Sequence, residues 1–377
     1  MASRILVIGG TGVIGSRIVR LLSAVPRVEV IFTAREAEIA ESQEQALRID
    51  GIDARGLCWD GRDGAAALLA RIRPDVMIDA TGTAGRTDSS LALACLRLGI
   101  AYIDLSMSRA HIQDVRALSS MAVEARLPVF TAAGLLPSVT MAAARTMARD
   151  MTRVSALRIY LCPGNQEPRG RAFLAAVIAE AGQPFRHRQD GAWVTARNWL
   201  DLRRLDLPGV WSDSGPVRRL FAAMDSPDHD LVPEHWPDLS TTSVQGGMEL
   251  GLIQLGLWGT AWLRRIGLLR HPAWTSGLLA DVGGLFRSLG TARSALRVEL
   301  EGTIGTHRVR RLWQIEGDRG DLAWVAAAPA AALARLIVVG PRPAPGARAA
   351  AGEPALHEII AELRSRDLRV RTLDLDA

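Results

Sequence analysis

A glycine-rich hexapeptide near the start of the chain has the spacing of a phosphate-binding turn. The sequence GTGVIG follows an apolar, strand-length run, precedes an amphipathic, helix-length run and fits the pattern G-x-G-x-x-G. In this pattern the first glycine permits a tight turn, the second lets the backbone approach a pyrophosphate, and the third lets helix and strand pack closely. The helix N-terminus adds free N–H groups and a positive dipole end. We therefore predict dinucleotide binding, the alternative being a turn without a ligand, by Gly10, Thr11, Gly12, Val13, Ile14 and Gly15.

The residue expected to distinguish NADP from NAD lies about twenty residues after the glycines. Many NAD enzymes carry Asp or Glu there, on the ribose 2′-hydroxyl, but the second predicted strand of this chain ends in Thr33-Ala34-Arg35. A guanidinium group can hold a 2′-phosphate through two parallel hydrogen bonds. We therefore predict NADP(H) as the cofactor, bound through Arg35; the alternative is that Arg35 is a solvated surface residue.

Further site residues are expected where the other predicted strands end, because ligands of such sheets lie beyond the carboxyl ends of the strands. The third strand ends near Asp60, which we predict to meet the adenine. The fourth is followed by Thr81 and Gly82, predicted to lie along the nicotinamide half of the cofactor. The fifth leads to Asp104 and Ser106, the candidate catalytic residues, which would orient the substrate or relay a proton.

The composition excludes several other chemistries. The 45 basic residues of the 377-residue chain are all arginine, so a Schiff-base lysine and a P-loop lysine are both impossible. The arginines are scattered and the net charge is only +5, which argues against a nucleic-acid partner. Three scattered cysteines favour neither a disulfide framework nor a metal site, and with no signal-peptide pattern they predict a cytoplasmic protein.

Strand-length apolar runs alternate with helical patterns up to about residue 131, which predicts an α/β fold with a doubly wound parallel sheet of the Rossmann type. Hairpin signals and most of the ten tryptophans come later, and they predict an α+β domain. We place the dinucleotide-binding domain at residues 1–133 and a substrate and dimerisation domain at 134–377. Within the latter we expect a Pro/Ala/Gly-rich loop over 340–354 and a helix over 355–365 that can pack back on the first domain.

One long segment of the second domain carries no charge. It runs for 14 residues from Leu250 to Leu263, which is shorter than the roughly 20 residues that a membrane span needs. Two interpretations remain open. The segment is either a buried helix or subunit interface, or it lines a hydrophobic substrate pocket or lies on a bilayer surface.

The chain resembles the saccharopine dehydrogenase-like oxidoreductases. The resemblance rests on the segments VIGGTGVIGSRIVRLL, TAR, CLRLGIAYIDLS, DGAWV and WLRRIGLLR. It implies a Rossmann-type domain joined to an α/β substrate domain, dimerisation and the use of NAD(P)(H). Two positions depart from the family's pattern: Thr83-Ala84 stand where the family often has a Pro-Phe turn, and Met107-Ser108 stand where it often has Gly-Glu. An acid expected at the second position is therefore missing.

The resemblance leaves three functions open. Members of this group make or split imine-derived C–N bonds, and others are trans-acting enoyl reductases that reduce a C=C bond. We expect an NADP(H)-dependent reductase of an activated C=C or C=N bond in an apolar, lipid-like small molecule. The alternatives are a saccharopine-type C–N dehydrogenase of an amino-acid-derived substrate and a non-catalytic cofactor-binding or lipid-associated protein. A homodimer and peripheral membrane contact are the expected associations.

Overall fold

The computed structural model describes residues 2–59, 64–81, 88–208, 217–269, 286 and 288–375. Contacts within the chain divide it into two units, Met1–Val139 with Ala323–Arg364, and Thr140–Leu322 with Ser365–Ala377. These units are defined by contacts alone. The predicted domain boundary at residue 133 therefore stays a prediction.

The strands are β1 Ser3–Ile8, β2 Val28–Ala34, β3 Arg55–Cys58, β4 Val76–Asp79, β5 Ala101–Asp104, β6 Pro128–Thr131, β7 Arg153–Cys162, β8 Pro184–Gln189, β9 Ala192–Arg197, β10 Leu202–Leu207, β11 Val217–Ala223, β12 Thr241–Gly246, β13 Ser294–Ile304, β14 His307–Gly317, β15 Gly346–Ala349 and β16 Leu368–Leu375. The helices are α1 Val13–Ser23, α2 Ala37–Ile49, α3 Ala65–Ile72, α4 Ser90–Arg97, α5 Arg109–Arg116, α6 Ser119–Glu124, α7 Thr140–Met147, α8 Arg171–Glu180, α9 Asp228–His235, α10 Gly251–Arg265, α11 Leu322–Val338 and α12 Leu356–Glu362.

The first unit contains a parallel sheet in the order β15-β6-β5-β4-β1-β2-β3. The chain winds outward from β1 in both directions, so the strand order reverses between β1 and β4. Successive residues of β1 alternate between two apolar clusters, with Ile5 and Val7 in one and Leu6 and Ile8 in the other. Both faces of the sheet are therefore covered, and the predicted Rossmann-type α/β fold is confirmed.

The first unit also contains elements from late in the sequence. Alanines 327, 330, 331 and 334 of α11 are buried in the cluster that includes α1 and one face of β1. The predicted loop over 340–354 contains β15, which extends the sheet beside β6, and that part of the loop prediction is wrong. The helix predicted over 355–365 is present as α12, and Arg335 of α11 pairs with its Glu362.

The second unit contains a mixed sheet in the order β10-β11-β12-β7-β13-β14-β16, in which β12 and β7 are parallel and the other pairs antiparallel. The β8–β9 hairpin forms at the predicted Asp190-Gly191 turn, where both residues have positive φ angles of 50° and 83°. Positive φ at both turn residues matches the twist of the flanking strands and favours glycine. The predicted α+β character of this part is confirmed.

The candidate active site

The glycine turn lies between β1 and α1, at the point where the strand order reverses. Gly9 adopts φ +74°, and its carbonyl oxygen accepts a hydrogen bond from Gly12 N at 2.9 Å. Two side chains from elsewhere fix the turn: Thr33 Oγ1 accepts from Gly9 N at 3.2 Å, and Gln43 Nε2 donates to Gly10 O at 3.1 Å. The turn is therefore held in place by β2 and α2 as well as by its own backbone.

The three glycines of the pattern have different surroundings. A Cβ atom at Gly10 would lie 2.4 Å from Phe32 Cβ, and one at Gly15 would lie 2.2 Å from the carbonyl oxygen of Gly9. At Gly12 the nearest atom would be the same carbonyl oxygen at 3.1 Å, and the residue is exposed. The protein's own packing therefore requires Gly10 and Gly15, whereas Gly12 faces solvent and a Cβ there would meet only one backbone atom.

The N-terminus of α1 is suited to an anion. Gly12 is its N-cap, no side chain caps it, and its first turn contains no acidic residue. The first N–H groups of a helix have no partner inside the helix, and they carry the positive end of its dipole. Val13 and Ile14 form this first turn and Thr11 precedes the cap, all three half-buried. Of the predicted six-residue segment, Thr11, Gly12, Val13 and Ile14 are therefore accessible at the N-terminus of α1, whereas Gly10 and Gly15 are buried.

Arg35 is the first residue after β2, and its side chain is exposed. Among the described residues its guanidinium group has no hydrogen-bond partner, while its carbonyl oxygen lies 3.6 Å from Cys58 Sγ at the end of β3. Glu36 is the N-cap of α2, as the sequence indicates. The guanidinium group thus lies at the carboxyl edge of the sheet, exposed to solvent, where a 2′-phosphate could reach it.

The predicted residues after β3 and β4 are only partly described. Asp60, Gly82 and the departure Thr83-Ala84 lie outside the described residues. Thr81 is exposed, and both its N and its Oγ1 donate to Asp79 Oδ1, at 3.0 and 2.6 Å. The hydroxyl of Thr81 is therefore oriented by the buried carboxylate at the end of β4.

Asp104 and Ser106 lie in the interior of the first unit. Asp104 Oδ1 accepts from Ser106 N at 2.8 Å, from Thr131 Oγ1 at 2.8 Å and from Ala132 N at 3.1 Å. Its Oδ2 lies 3.1 Å from His111 Nε2. Asp104 and Ser106 are both fully buried. The carboxylate therefore connects the ends of β5 and β6 with α5.

The hydroxyl of Ser106 continues this arrangement into the following helix. Ser106 Oγ accepts from Ser108 N at 3.1 Å, and Ser108 is the N-cap of α5. Tyr102, which the sequence places in a strand, is buried beside these groups. Burial raises the pKa of its phenol well above the ordinary value, and the Asp104 and Asp79 carboxylates add to the increase. The Tyr102 hydroxyl therefore stays protonated.

Sequence reasoning missed four residues of this region: Thr33, Gln43, His111 and Thr131. Gln43, His111 and Thr131 each contact a predicted site residue that is 7 to 33 positions away in the chain, and Thr33 contacts Gly9, directly before the predicted segment. The period of the apolar runs indicates which strands exist, but it carries no signal for such side-chain pairs across strands. Only the position of Thr33 and Thr131 at strand ends could have drawn attention to them.

In the second unit, the buried Arg297 and the partly exposed Arg158 and Arg310 are paired with glutamates of the same unit. Arg297 Nε donates to Glu299 at 2.7 Å, Arg310 pairs with the same carboxylate at 2.6 Å, and Arg158 pairs with Glu301 at 2.5 Å. Tyr160 lies directly beside Arg297 on the neighbouring strand, and burial raises the pKa of its phenol. Within the described residues, no group of three His, Cys, Asp or Glu side chains is arranged to hold a metal ion.

Comparison with known proteins finds one matching family model and several similar solved structures. Residues 5–129 match the saccharopine dehydrogenase NADP-binding domain. The apo saccharopine dehydrogenase (L-Glu forming) of Saccharomyces cerevisiae is 14% identical with a TM-score of 0.70, over 99% of this chain and 100% of that one. The diaminopimelate (DAP) dehydrogenase of C. glutamicum is 13% identical with a TM-score of 0.46, over 97% and 99%. No curated protein sequence matches the chain. At 14% identity the yeast structure supports the fold alone.

Proposed function

We propose a specific reaction for this NAD(P)-dependent oxidoreductase, whose residues 5–129 match the saccharopine dehydrogenase NADP-binding domain. The reaction is the reduction of an activated C=C or C=N bond in an apolar small molecule, with NADPH as the cofactor. The observation that carries the proposal is the open cradle at Gly12 together with the unengaged guanidinium group of Arg35.

The residues of the first unit fit the cofactor as follows. The backbone around Gly12 and the N-terminus of α1 would hold the pyrophosphate, and Arg35 would hold the 2′-phosphate. When bound, the nicotinamide supplies the hydride, and the protein contributes orientation and a proton. Asp60 would meet the adenine, while Thr81 and Gly82 would lie along the nicotinamide half.

We propose that Asp104 and Ser106 contribute to turnover by positioning. Their full burial and their hydrogen bonds to Thr131, Ala132 and Ser108 fix the ends of β5 and β6 and the start of α5. These chain segments lie at the carboxyl edge of the sheet, where the ligand of a doubly wound fold binds. A shift there would misplace reacting atoms, and misplacement by about 1 Å can cost a hundredfold in rate.

The pairing of arginines in the second unit supports an apolar substrate. A substrate with several carboxylates would need convergent, unengaged arginines. Here Arg158 and Arg297 are ion-paired with glutamates, and Arg219 donates to the carbonyl oxygens of Pro163 and Gly247 at 2.9 and 3.1 Å. The amino-acid-type C–N dehydrogenase therefore stands as the second proposal.

A substrate panel tests the proposal. NADPH consumption is followed with α,β-unsaturated acyl and carbonyl compounds and cyclic imines, and in parallel with pairs of an amino acid and an oxo acid. Gly12→Val serves as the control without a cofactor site. Consumption with the unsaturated compounds alone supports the reductase. Consumption only with the amino acid pairs supports the C–N dehydrogenase, and stable cofactor binding without consumption supports a non-catalytic protein.

We also propose that the protein is a cytoplasmic homodimer, as the resemblance implies. Light scattering after size-exclusion chromatography tests the association, since a homodimer has twice the mass of the chain. A concentration-independent monomer would contradict it. No helix of the described residues is long and apolar enough to cross a membrane.

A further inference from the structure

The helix α10 buries a glutamine and exposes several large apolar side chains. Gln254, Leu257 and Ala261 form its buried face. The opposite face and the turn that follows form a surface that we call the apolar patch, with exposed fractions in parentheses. The apolar patch consists of Leu252 (66%), Leu255 (46%), Trp262 (42%), Leu263 (43%), Ile266 (53%) and Leu268 (71%).

The buried face fixes the orientation of the helix. Gln254 Oε1 accepts from Met248 N at 2.9 Å, and Arg264 donates to the carbonyl oxygen of Ala181 at 2.9 Å. Gly182 packs so closely on the helix that a Cβ there would lie 2.7 Å from the carbonyl oxygen of Ala261. The helix therefore cannot simply turn its apolar patch inward, because these contacts would be lost.

The charged side chains of α10 and of the turn after it are all positive. Residues 250–269 contain two arginines, Arg264 and Arg265, and no acidic residue. Arg265 is exposed, and its guanidinium carbon lies 5.8 Å from the centre of the Trp262 ring. Exposed tryptophan beside arginine is typical of a membrane interface, where the indole lies at headgroup depth and the cation meets phosphate.

We propose that the apolar patch docks α10 on the surface of an anionic membrane, with the helix lying in the plane of the interface. The 15 residues of α10 are too few to span the bilayer, but the patch presents apolar area over its whole length. Anionic lipids supply phosphates for Arg265. A second copy of the same patch would bring no carboxylate from residues 250–269, so charge complementarity favours the lipid surface.

Vesicle co-sedimentation of the full chain tests the apolar contribution. The probes are phosphatidylcholine vesicles with and without phosphatidylglycerol. The double variant Leu252→Gln, Ile266→Gln should partition at least about tenfold more weakly into the anionic vesicles. The matched control is Ile49→Gln, Val339→Gln, which removes two side chains of similar exposure (79% and 60%) from the first unit and should bind like the wild type.

Charge reversal tests the electrostatic contribution. Arg265→Glu should lower binding to the anionic vesicles about tenfold, since each basic residue near such a surface contributes about 1 kcal/mol. Arg308→Glu makes the same change at another exposed position of the second unit and should leave binding unaltered. Circular dichroism confirms that each variant is folded, and the assay does not depend on enzyme activity.

Three outcomes would overturn the proposal. The first is a wild-type protein that binds neither kind of vesicle. The second is equal vesicle binding by the patch variant and by the matched control. The third is a wild-type dimer that becomes monomeric in the patch variant without vesicle binding, which would assign the apolar patch to a second copy of the chain.

Discussion

Arg35 is the residue on which the choice between NADP(H) and NAD(H) depends. Its exposed guanidinium group stands where an acidic residue would meet the ribose, so NADPH should bind more tightly than NADH. Arg35→Asp should reverse this preference and change the affinity ratio by about tenfold or more, because a charge-assisted hydrogen bond is replaced by repulsion. Fluorescence titration with both cofactors measures the ratio. Arg97→Asp, at an exposed position of α4, is the control, and equal changes in the two variants would refute the assignment.

Gly12 and Gly15 should respond differently to the same substitution. Gly12→Val puts a Cβ 3.1 Å from one backbone atom, the Gly9 carbonyl oxygen, at an exposed position. A small shift relieves this contact, so the fold should persist while NADPH binding is lost. Gly15→Val drives a Cβ to 2.2 Å from the Gly9 carbonyl oxygen, so the first unit itself should be destabilised. Thermal unfolding and cofactor titration of both variants separate the two effects. Normal NADPH binding by folded Gly12→Val would contradict the cradle.

At the scale of elements, Asp104 is the point where β5, β6 and α5 are connected. Asp104→Asn weakens the contact with His111, and a buried hydrogen-bonding group that loses its partner typically costs about 1–3 kcal/mol. Ser106→Ala removes one acceptor, for Ser108 N, and should cost about 1 kcal/mol. Both variants should lower turnover more than they lower NADPH affinity. Steady-state kinetics and cofactor titration give the two values, and unchanged turnover in both variants would show that these residues do not position the reacting groups.

The two faces of α10 give another element-scale prediction. Leu257 belongs to the buried face, so Leu257→Asp should destabilise the second unit by several kcal/mol through an unpaired buried carboxylate. Leu252→Asp, on the exposed face of the same helix, is the matched control and should leave the unfolding midpoint nearly unchanged. Urea denaturation followed by tryptophan fluorescence compares them. Similar midpoints for both variants would contradict the assigned orientation of the helix.

For the whole molecule, the sequence predicts what depends on local pattern. The glycine turn and the alternation of strands and helices follow from residues next to each other in the chain, and both are confirmed. The place of α11 and β15 in the first unit could not be predicted, because an alanine-rich helix and a Pro/Ala/Gly-rich segment carry no signal for a sheet whose other strands lie within the first 131 residues. The outward face of α10 was also undetermined, because a segment that is apolar on every side has no unique buried face.

An ion-pair network in the second unit connects early and late parts of its sequence. Arg311 of β14 donates to Asp150 Oδ2 at 2.8 Å, to Asp374 Oδ1 at 2.9 Å and to the carbonyl oxygen of Met147 at 2.6 Å. Met147 is the last residue of α7, Asp150 follows that helix, and Asp374 lies on β16. One guanidinium group therefore links the start and the end of the unit's sequence. The hydrogen bonds from Arg311 lower the pKa of Asp150 from 3.8 to about 2.

This network predicts how stability changes in acid. Because the pKa of Asp150 is lower in the folded state, its stabilisation is fully present above the unfolded value near 3.8 and is lost as the pH falls towards 2. Asp150→Asn should therefore lower the urea midpoint at pH 6 and reduce the further loss between pH 5 and pH 2. Asp238→Asn removes another exposed carboxylate of the second unit and should leave the pH dependence unaltered. An Asp150→Asn variant that follows the wild-type acid profile would show that the pair does not stabilise the unit, since a carboxylate without folded-state pairing makes no difference to that slope.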